Sequence, residues 1–349
     1  MPLLLNGQDD AALAEAARRW AAGELVALPT ETVYGLGARA DDDAAVAKIF
    51  AAKGRPSDHP LIVHVADASA AATFAAEIPP AAHKLMAAFW PGPLTVIVPR
   101  RLGVGTAAAG GQDTIGLRCP AHPVAHALLQ RAAQAGVMGI AAPSANRFGR
   151  ISPTRAAHVV EEFADLSDAA LAVVDGGACD VGIESSIVDC SGLSQGGRAV
   201  LLRPGVLTRE AIEAVIGPLG ERGGHSPRAS GTLEAHYAPR AKLRLMPTEA
   251  LRSALAVLGP ELTNAQRTGN TLAVYSRSSL SALWPEGVRH GPIAHRAMPS
   301  QPRLAAHELF AALRELDATG VPLIWVETPP DTPEWEGVRD RLQRAAAAG

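Results

Sequence analysis

The chain has 349 residues, 48% of them hydrophobic but only 4% aromatic, and 32 basic against 35 acidic residues give a net charge of −3. That length asks for two domains or one large one, and the apolar content excludes a disordered chain. The charge excludes a global positive field for nucleic acid or an anionic membrane, and the shortage of aromatics speaks against stacking bases on aromatic platforms.

Asp9 to Ala22 reads as a helix, with an Asp to cap it and Gly23 to end it. Leu25 to Leu28 is a short strand that stops at Pro29. Asp42 to Lys53 is a second helix, with Asp in its first turn and Gly54 at its end. Leu61 to Val65 is a strand whose alternation puts Ile62 and His64 on one face. Helices are then expected at Pro80 to Trp90, His122 to Ala135, Thr154 to Phe163 and Thr208 to Ile216. Strands are expected at Leu94 to Val98, Thr114 to Arg118, Val137 to Ala142, Leu171 to Asp175, Ser185 to Asp189 and Ala199 to Arg203. Periodicity stops from Gly217 to Arg240, a segment rich in Gly, Pro, Ser and Arg that reads as a linker or ordered loop. A second pattern follows, with strands at Lys242–Met246, Thr271–Tyr275 and Leu323–Val326 and helices at Thr248–Leu258, Arg303–Leu316 and Pro333–Ala345. Strands and helices alternate, so the class is α/β. Short strands bounded by Gly and Pro point to a mixed sheet in the first part.

Three Cys without a C-x-x-C pair suggest a reducing compartment and no Cys-rich zinc site. The first residues turn polar quickly and lack a basic stretch, so no signal peptide is expected. The Ala-rich runs carry regular charges, so no membrane span is expected either, and we read a soluble cytoplasmic protein. None of the four Lys follows a Gly, which excludes a P-loop. No nucleophile elbow or H-E-x-x-H motif is present. His122 and His126 share a helix face but lack a third ligand, so no metal-ligating residue is assigned.

What remains is polar residues at element ends. Lys53 and Arg55 flank Gly54 at a helix–loop junction. Lys53 could simply offset the helix dipole, but two cations there also suit phosphate, Lys as a point charge and Arg as a fork. His64 could be a satisfied semi-buried residue, Arg118 a surface ion-pair member, and Ser144 and Asn146 a simple turn. Each alone favours the structural explanation. Together they gather cations and neutral donors at the ends of elements in one α/β unit, where open sheets bind ligands. No obvious nucleophile or acid–base pair accompanies them, which suggests catalysis by positioning and charge stabilisation, as at a phosphorus centre.

In order, the segments PTETVYGLG (29–37), KGRPSDHPLIVHV (53–65), WPGPLTVIVPR (90–100), TIGLRCP (114–120), APSANRFGRISPT (142–154), DGG (175–177), GIESSIVD (182–189), LLRPG (201–205) and HYAPR (236–240) resemble the YrdC-type threonylcarbamoyl-AMP synthases in their long two-domain form. The resemblance covers the first ~240 residues by motif; the rest fits the small C-terminal domain by position and element order. It implies a YrdC-like twisted mixed sheet with flanking helices over 1–216, a linker or lid loop over 217–241, and a small Rossmann-like α/β domain over 242–349. It implies that L-threonine, bicarbonate or CO2 and ATP give threonylcarbamoyl-adenylate and pyrophosphate, with Mg2+ bridging phosphates. The product would pass to a downstream tRNA-modifying transferase complex, with at most a weak direct tRNA contact.

Carried over residue by residue, Lys53 and Arg55 would neutralise the triphosphate and the developing pyrophosphate. Arg55, His59, Thr114, Ser144, Asn146, Ser152 and Arg203 would hold ATP, and Tyr237 would cover it. Thr32, His64, Arg118, Ala142 and Ser185 would hold threonine, with Arg118 on its carboxylate. This chain departs from the family pattern at His59, where Asn is usual, at Ser230-Gly231, where Pro-Gly is usual, and at Ser186, where Thr is common. The alternative reading is a YrdC-like RNA-binding module without the chemistry, against which the negative charge speaks. A hydrogenase-maturation carbamoyltransferase would carry C-x-x-C zinc modules, which this chain lacks.

Overall fold

The structure is a computed structural model. It describes all residues except 225, 263–270, 284–292 and 349, and the backbone alone of 258–262 and 280. Two compact units result. The first comprises Met1–Phe148 and Ser152–Thr232, the second Gly149–Ile151 and Leu233–Gly349.

The first unit runs β1 (Leu3–Asn6), α1 (Asp10–Ala21), β2 (Leu25–Leu28), β3 (Gly35–Arg39), α2 (Asp43–Lys53), β4 (Ile62–His64), α3 (Ala68–Ala71), α4 (Pro80–Phe89), β5 (Leu94–Pro99) and β6 (Thr114–Arg118). It continues with α5 (Pro123–Gln134), β7 (Ile140–Ala141), α6 (Ala156–Glu162), β8 (Leu171–Asp175), β9 (Ser186–Asp189), β10 (Val200–Arg203) and α7 (Arg209–Ile216). The ten strands form one mixed sheet in the order β1-β8-β2-β3-β7-β4-β6-β5-β9-β10.

Register sorts the side chains onto two faces. Ile62 pairs with Gly116 and His64 with Arg118 across β4 and β6. Ile97 pairs with Gly116 across β5 and β6, and Thr95 with Ile187 across β5 and β9. All of these share one face, because partners directly opposite in register lie on the same side. Val63, Leu117, Val96 and Val188 point the other way, into the main core with residues of α2, α4, α6 and α7. On the first face, α1 and α5 cover the β1-to-β7 half through Leu13, Trp20, Ala125 and Leu128. Beyond β7, among the described residues, no helix of this unit contributes to that face. Ile62, Ile97, Ile187 and Leu202 form a small cluster there, packed by Ala229 from the segment after α7.

The structure adds two strands to those expected in this unit, β1 and β3. β3 carries the sequence GLGAR, whose glycines hid it. They are there for packing: a Cβ on Gly37 would lie 2.8 Å from Ile140 Cγ2 and 2.9 Å from the Val26 carbonyl. The strand is squeezed between β2 and β7, and only Gly fits.

The second unit runs β11 (Lys242–Met246), α8 (Thr248–Leu262), β12 (Leu272–Ser276), α9 (Leu280–Leu283), β13 (Ile293–Ala297), α10 (Pro302–Ala318), β14 (Leu323–Glu327) and α11 (Glu336–Ala346). Its four strands are all parallel, in the order β11-β14-β12-β13. Leu251, Leu255, Leu272, Val274, Leu283 and Trp325 pack together in part of its core. β13 was not expected, since IAHRA has no run of β-branched residues. At the strand ends the buried Glu327 carboxylate accepts from the Ser278 amide and the Thr248 hydroxyl, both at 2.8 Å, and from Arg277 at 3.0 Å.

Candidate active site

The site begins at the C-terminus of α2. Asp42 caps the start of this helix by accepting from the Ala44 and Ala45 amides, and Gly54 ends it in the left-handed conformation. Lys53 is thereby held in the last turn with its side chain buried. Its Nζ donates to the Ser144 carbonyl at 2.5 Å and to the Asn146 carbonyl. Burial, and then the neighbouring Arg55, push the ammonium well below the usual lysine range. Arg55, just past the cap, donates to the Pro60 carbonyl at 3.0 Å and lies over the Phe148 ring at 5.6 Å. His59 meets the same ring edge-on at 5.4 Å, and the Phe148 amide donates to the Lys53 carbonyl. Lys53, Arg55, His59, Ser144 and Asn146 therefore form one group. It is the Ser144 carbonyl, not its hydroxyl, that faces Lys53.

A second group surrounds Arg118 at the end of β6. Its guanidinium is almost fully buried and pairs with Glu31 at 2.7 Å. It also donates to the Thr32 hydroxyl at 2.8 Å and the Gly92 carbonyl at 3.3 Å. Thr32 is fixed by the turn around Thr30, whose hydroxyl accepts from the Thr32 and Val33 amides. His64 sits opposite Arg118 on the neighbouring strand. Burial first, and the Arg118 charge second, push its imidazole down to about 3, so it is neutral at physiological pH. Its Nδ1 is buried without a hydrogen-bond partner. Ala142 joins this group through its backbone, its amide donating to the Ile62 carbonyl at 2.9 Å. The ion pair is the strongest commitment in the group: deleting one partner of a buried pair costs about 3–5 kcal/mol.

A third group lies at the start of β9. Ser185 is fully buried, and its hydroxyl is 2.8 Å from that of Thr95. Arg203 donates to the Ser185 carbonyl at 2.9 and 3.1 Å and to the Ser230 carbonyl at 2.8 Å. Ser152 donates to the Glu184 carboxylate at 2.5 Å, next to Ser185. Thr114 lines the cleft between this group and the Arg228–Ser230 segment, together with Thr95 and Gly116. That segment is pinned by two hydrogen bonds between Arg228 and Gln112 and by an Arg228–Asp58 ion pair at 2.8 Å. The open sheet face thus carries guanidinium, imidazole and hydroxyl groups side by side, with the Lys53–Arg55 cations at the loop next to Ala142.

Tyr237, also assigned from the sequence, belongs to the second unit, where its ring lies 5.3 Å from Phe310 and beneath the Arg341 guanidinium, with φ of +62°. Glu31, Thr95 and Glu184 were not singled out in the sequence. Thr95 was reachable: alternation along β5 places it with Ile97 on the site face. Glu31 and Glu184 sit in loops, where no periodicity speaks. His122 caps α5, accepting from the Val124 amide, and His126 pairs with Gln130, so both are accounted for locally. The three thiols are buried, with burial pushing Cys119 up to about 11 and Cys190 up to about 12, so they pack rather than react.

Comparison with known proteins decides the family. A family model described as telomere recombination matches residues 18–205, and one described as the C-terminal domain of threonylcarbamoyl-AMP synthase matches residues 207–347. The chain is 37% identical over 344 residues to threonylcarbamoyl-AMP synthase of Bacillus subtilis, covering 97% of this chain and 94% of that one. The chain belongs to the threonylcarbamoyl-AMP synthase family. The family member of Pyrococcus abyssi is 37% identical over 332 residues, 93% of this chain and 91% of that one. A crystal structure of the P. abyssi Sua5 protein complexed with L-threonine matches with a TM-score of 0.83 at 34% identity, covering 100% of this chain and 98% of that one. Membership favours the enzyme over the RNA-binding alternative, and the expected α/β class with a mixed sheet and a second, smaller parallel sheet holds. Among the described residues, no helix is long and apolar enough to cross a membrane.

Proposed function

We propose that this threonylcarbamoyl-AMP synthase makes its product in the first unit, from L-threonine, bicarbonate or CO2, and ATP. The single observation that carries the reading is the division of cations between the open sheet face, which holds Arg118, and the loops around the end of α2, which hold Lys53 and Arg55. Arg118, buried and forked, suits a carboxylate, while Lys53 and Arg55 suit a triphosphate.

The threonine amine, once deprotonated, adds to CO2 to give a carbamate. A carbamate oxygen then attacks the α-phosphorus of ATP, and the bond from that phosphorus to the β-phosphate bridging oxygen breaks to release pyrophosphate. Arg118 and Thr32 hold the threonine carboxylate, with His64, Ala142 and Ser185 completing the amino-acid pocket. Arg55, His59, Thr114, Ser144, Asn146, Ser152 and Arg203 hold ATP, and Tyr237 covers the nucleotide. Lys53 and Arg55 offset the charge that builds on the departing pyrophosphate; fixed charges in a dry site do this without reorganisation. We take residues 1–216 as the catalytic domain, 217–241 as a linker that serves as a lid, and 242–349 as a C-terminal domain.

Mg2+ belongs to this proposal as a companion of ATP. Among the described residues, no group of three His, Cys, Asp or Glu side chains could hold a metal. The donor set therefore does not fit a resident metal, and Mg2+, which favours phosphate and water oxygens, would be brought by the nucleotide. We further propose a cytoplasmic setting, consistent with three unpaired buried cysteines. The product would pass to a downstream tRNA-modifying transferase complex, with a weak direct contact to tRNA as a further part of the proposal. The test is pyrophosphate release: it should require threonine, bicarbonate and ATP together. Threonine-independent release, or none, would overturn the proposal.

A further inference from the structure

Glu31 was assigned no role above, yet it is the best-anchored side chain around Arg118. One carboxylate oxygen accepts from Arg118 at 2.7 Å and the other from the Ala121 amide at 3.0 Å. Its own carbonyl accepts from the Val181 amide at 2.7 Å. The residue is buried and clamped at backbone and side chain alike. Arg118 in turn is held by Glu31, by Thr32 and by the Gly92 carbonyl. Each terminal guanidinium nitrogen bears two N–H groups and uses one of them here, so each has a second to offer.

Resting on the function proposed above, we propose that Glu31 is a positioning residue of the amino-acid pocket: it fixes the Arg118 fork and cancels its charge, so that the pocket takes a zwitterionic amino acid and rejects a bare carboxylate. The charges decide this. An uncompensated guanidinium in a buried pocket would attract any anion, including ATP phosphates and carboxylic acids without an amine. Glu31 brings the pair to zero. His64 adds no charge, because it stays neutral. A zwitterion leaves the filled pocket neutral, whereas a lone carboxylate leaves an unbalanced negative charge beside Glu31. Charge balance at the Arg118–Glu31 pair thus sets the preference of this pocket for a zwitterion.

The experiment compares the full-length chain with Glu31→Gln, which keeps an acceptor for Arg118 but removes the charge, and with Glu31→Asp, which keeps the charge. Steady-state kinetics should give about a 10-fold or larger rise in threonine KM for Glu31→Gln, with ATP KM within about 2-fold and Glu31→Asp partly restored. The analogue without the amine, 3-hydroxybutyrate, should gain on threonine as a competitor by about 10-fold in Glu31→Gln. An unchanged threonine KM, or equal rises for threonine and ATP, would overturn the assignment. Should the variants not fold, calorimetry on the unsubstituted chain still decides: 3-hydroxybutyrate should bind about 100-fold or more weaker than threonine, and equal binding would overturn it. If the unsubstituted chain binds threonine selectively but forms no adenylate, the reaction fails while the Glu31 assignment stands.

Discussion

Lys53 and Arg118 are both buried cations, but their partners differ in kind. Arg118 meets a carboxylate, whereas Lys53 donates to the carbonyls of Ser144 and Asn146. Burial works against the charge on Lys53, and a polyanion bound beside it would favour the ammonium form. Lys53→Ala and Arg55→Ala should each lower kcat/KM by about 100-fold or more, read by pyrophosphate release. Far-UV circular dichroism should stay that of the parent, and parent-like turnover in both would refute the phosphate role. His64 gives a pH dependence. Its folded-state pKa, about 3, lies below the ordinary histidine value of 6.5. The unfolded chain therefore takes up a proton there before the folded one does, so stability is full above about pH 6.5 and falls as pH drops toward 3. Urea midpoints at pH 7.5 and pH 5 should drop less for His64→Gln than for the parent, and equal drops would contradict this. At this scale Lys53, Arg55, His64 and Arg118 were legible as polar residues where elements end. Glu31 was not, because a loop carboxylate announces itself only through the partner that the fold brings to it.

At the scale of elements, capping did most to make the site readable. Asp42 and Gly54 marked α2 in the sequence, and the structure uses them to present Lys53 and Arg55 on either side of the cap. Gly54 has φ of +62°, and an added Cβ there would meet nothing within 4 Å. Gly54→Ala should thus act through backbone strain alone, costing about 1–2 kcal/mol and lowering the melting temperature of the first unit by several degrees. Activity should fall with it, because the two cations flank the strained residue. A thermal melt unchanged within about 1 °C would contradict the argument. Strands were legible where β-branched residues alternate, as in β5, and illegible where packing demanded glycine, as in β3. The expected strand at Val137 to Ala142 contracts to Ile140–Ala141, and Gly139 just before it is packed so closely that a Cβ there would lie within 2.7 Å of Phe74 and Val63 atoms.

At the scale of the whole chain, composition excluded functions rather than naming one. Near-neutral charge and scarce aromatics suit an enzyme of small metabolites. Ordered motifs then named the family, and relatives matched over nearly the full length agree. What composition and spacing could not supply was the sorting of cations by partner, because that depends on which strands lie side by side: β4, β6, β5 and β9 meet across long stretches of sequence. The account stands on one reaction, and mass spectrometry of its products tests it most directly. Incubated with ATP, L-threonine and bicarbonate, the chain should yield threonylcarbamoyl-adenylate and pyrophosphate in equal amounts, and neither when any substrate is left out. Pyrophosphate accompanied by AMP alone, or formed without threonine, would contradict it.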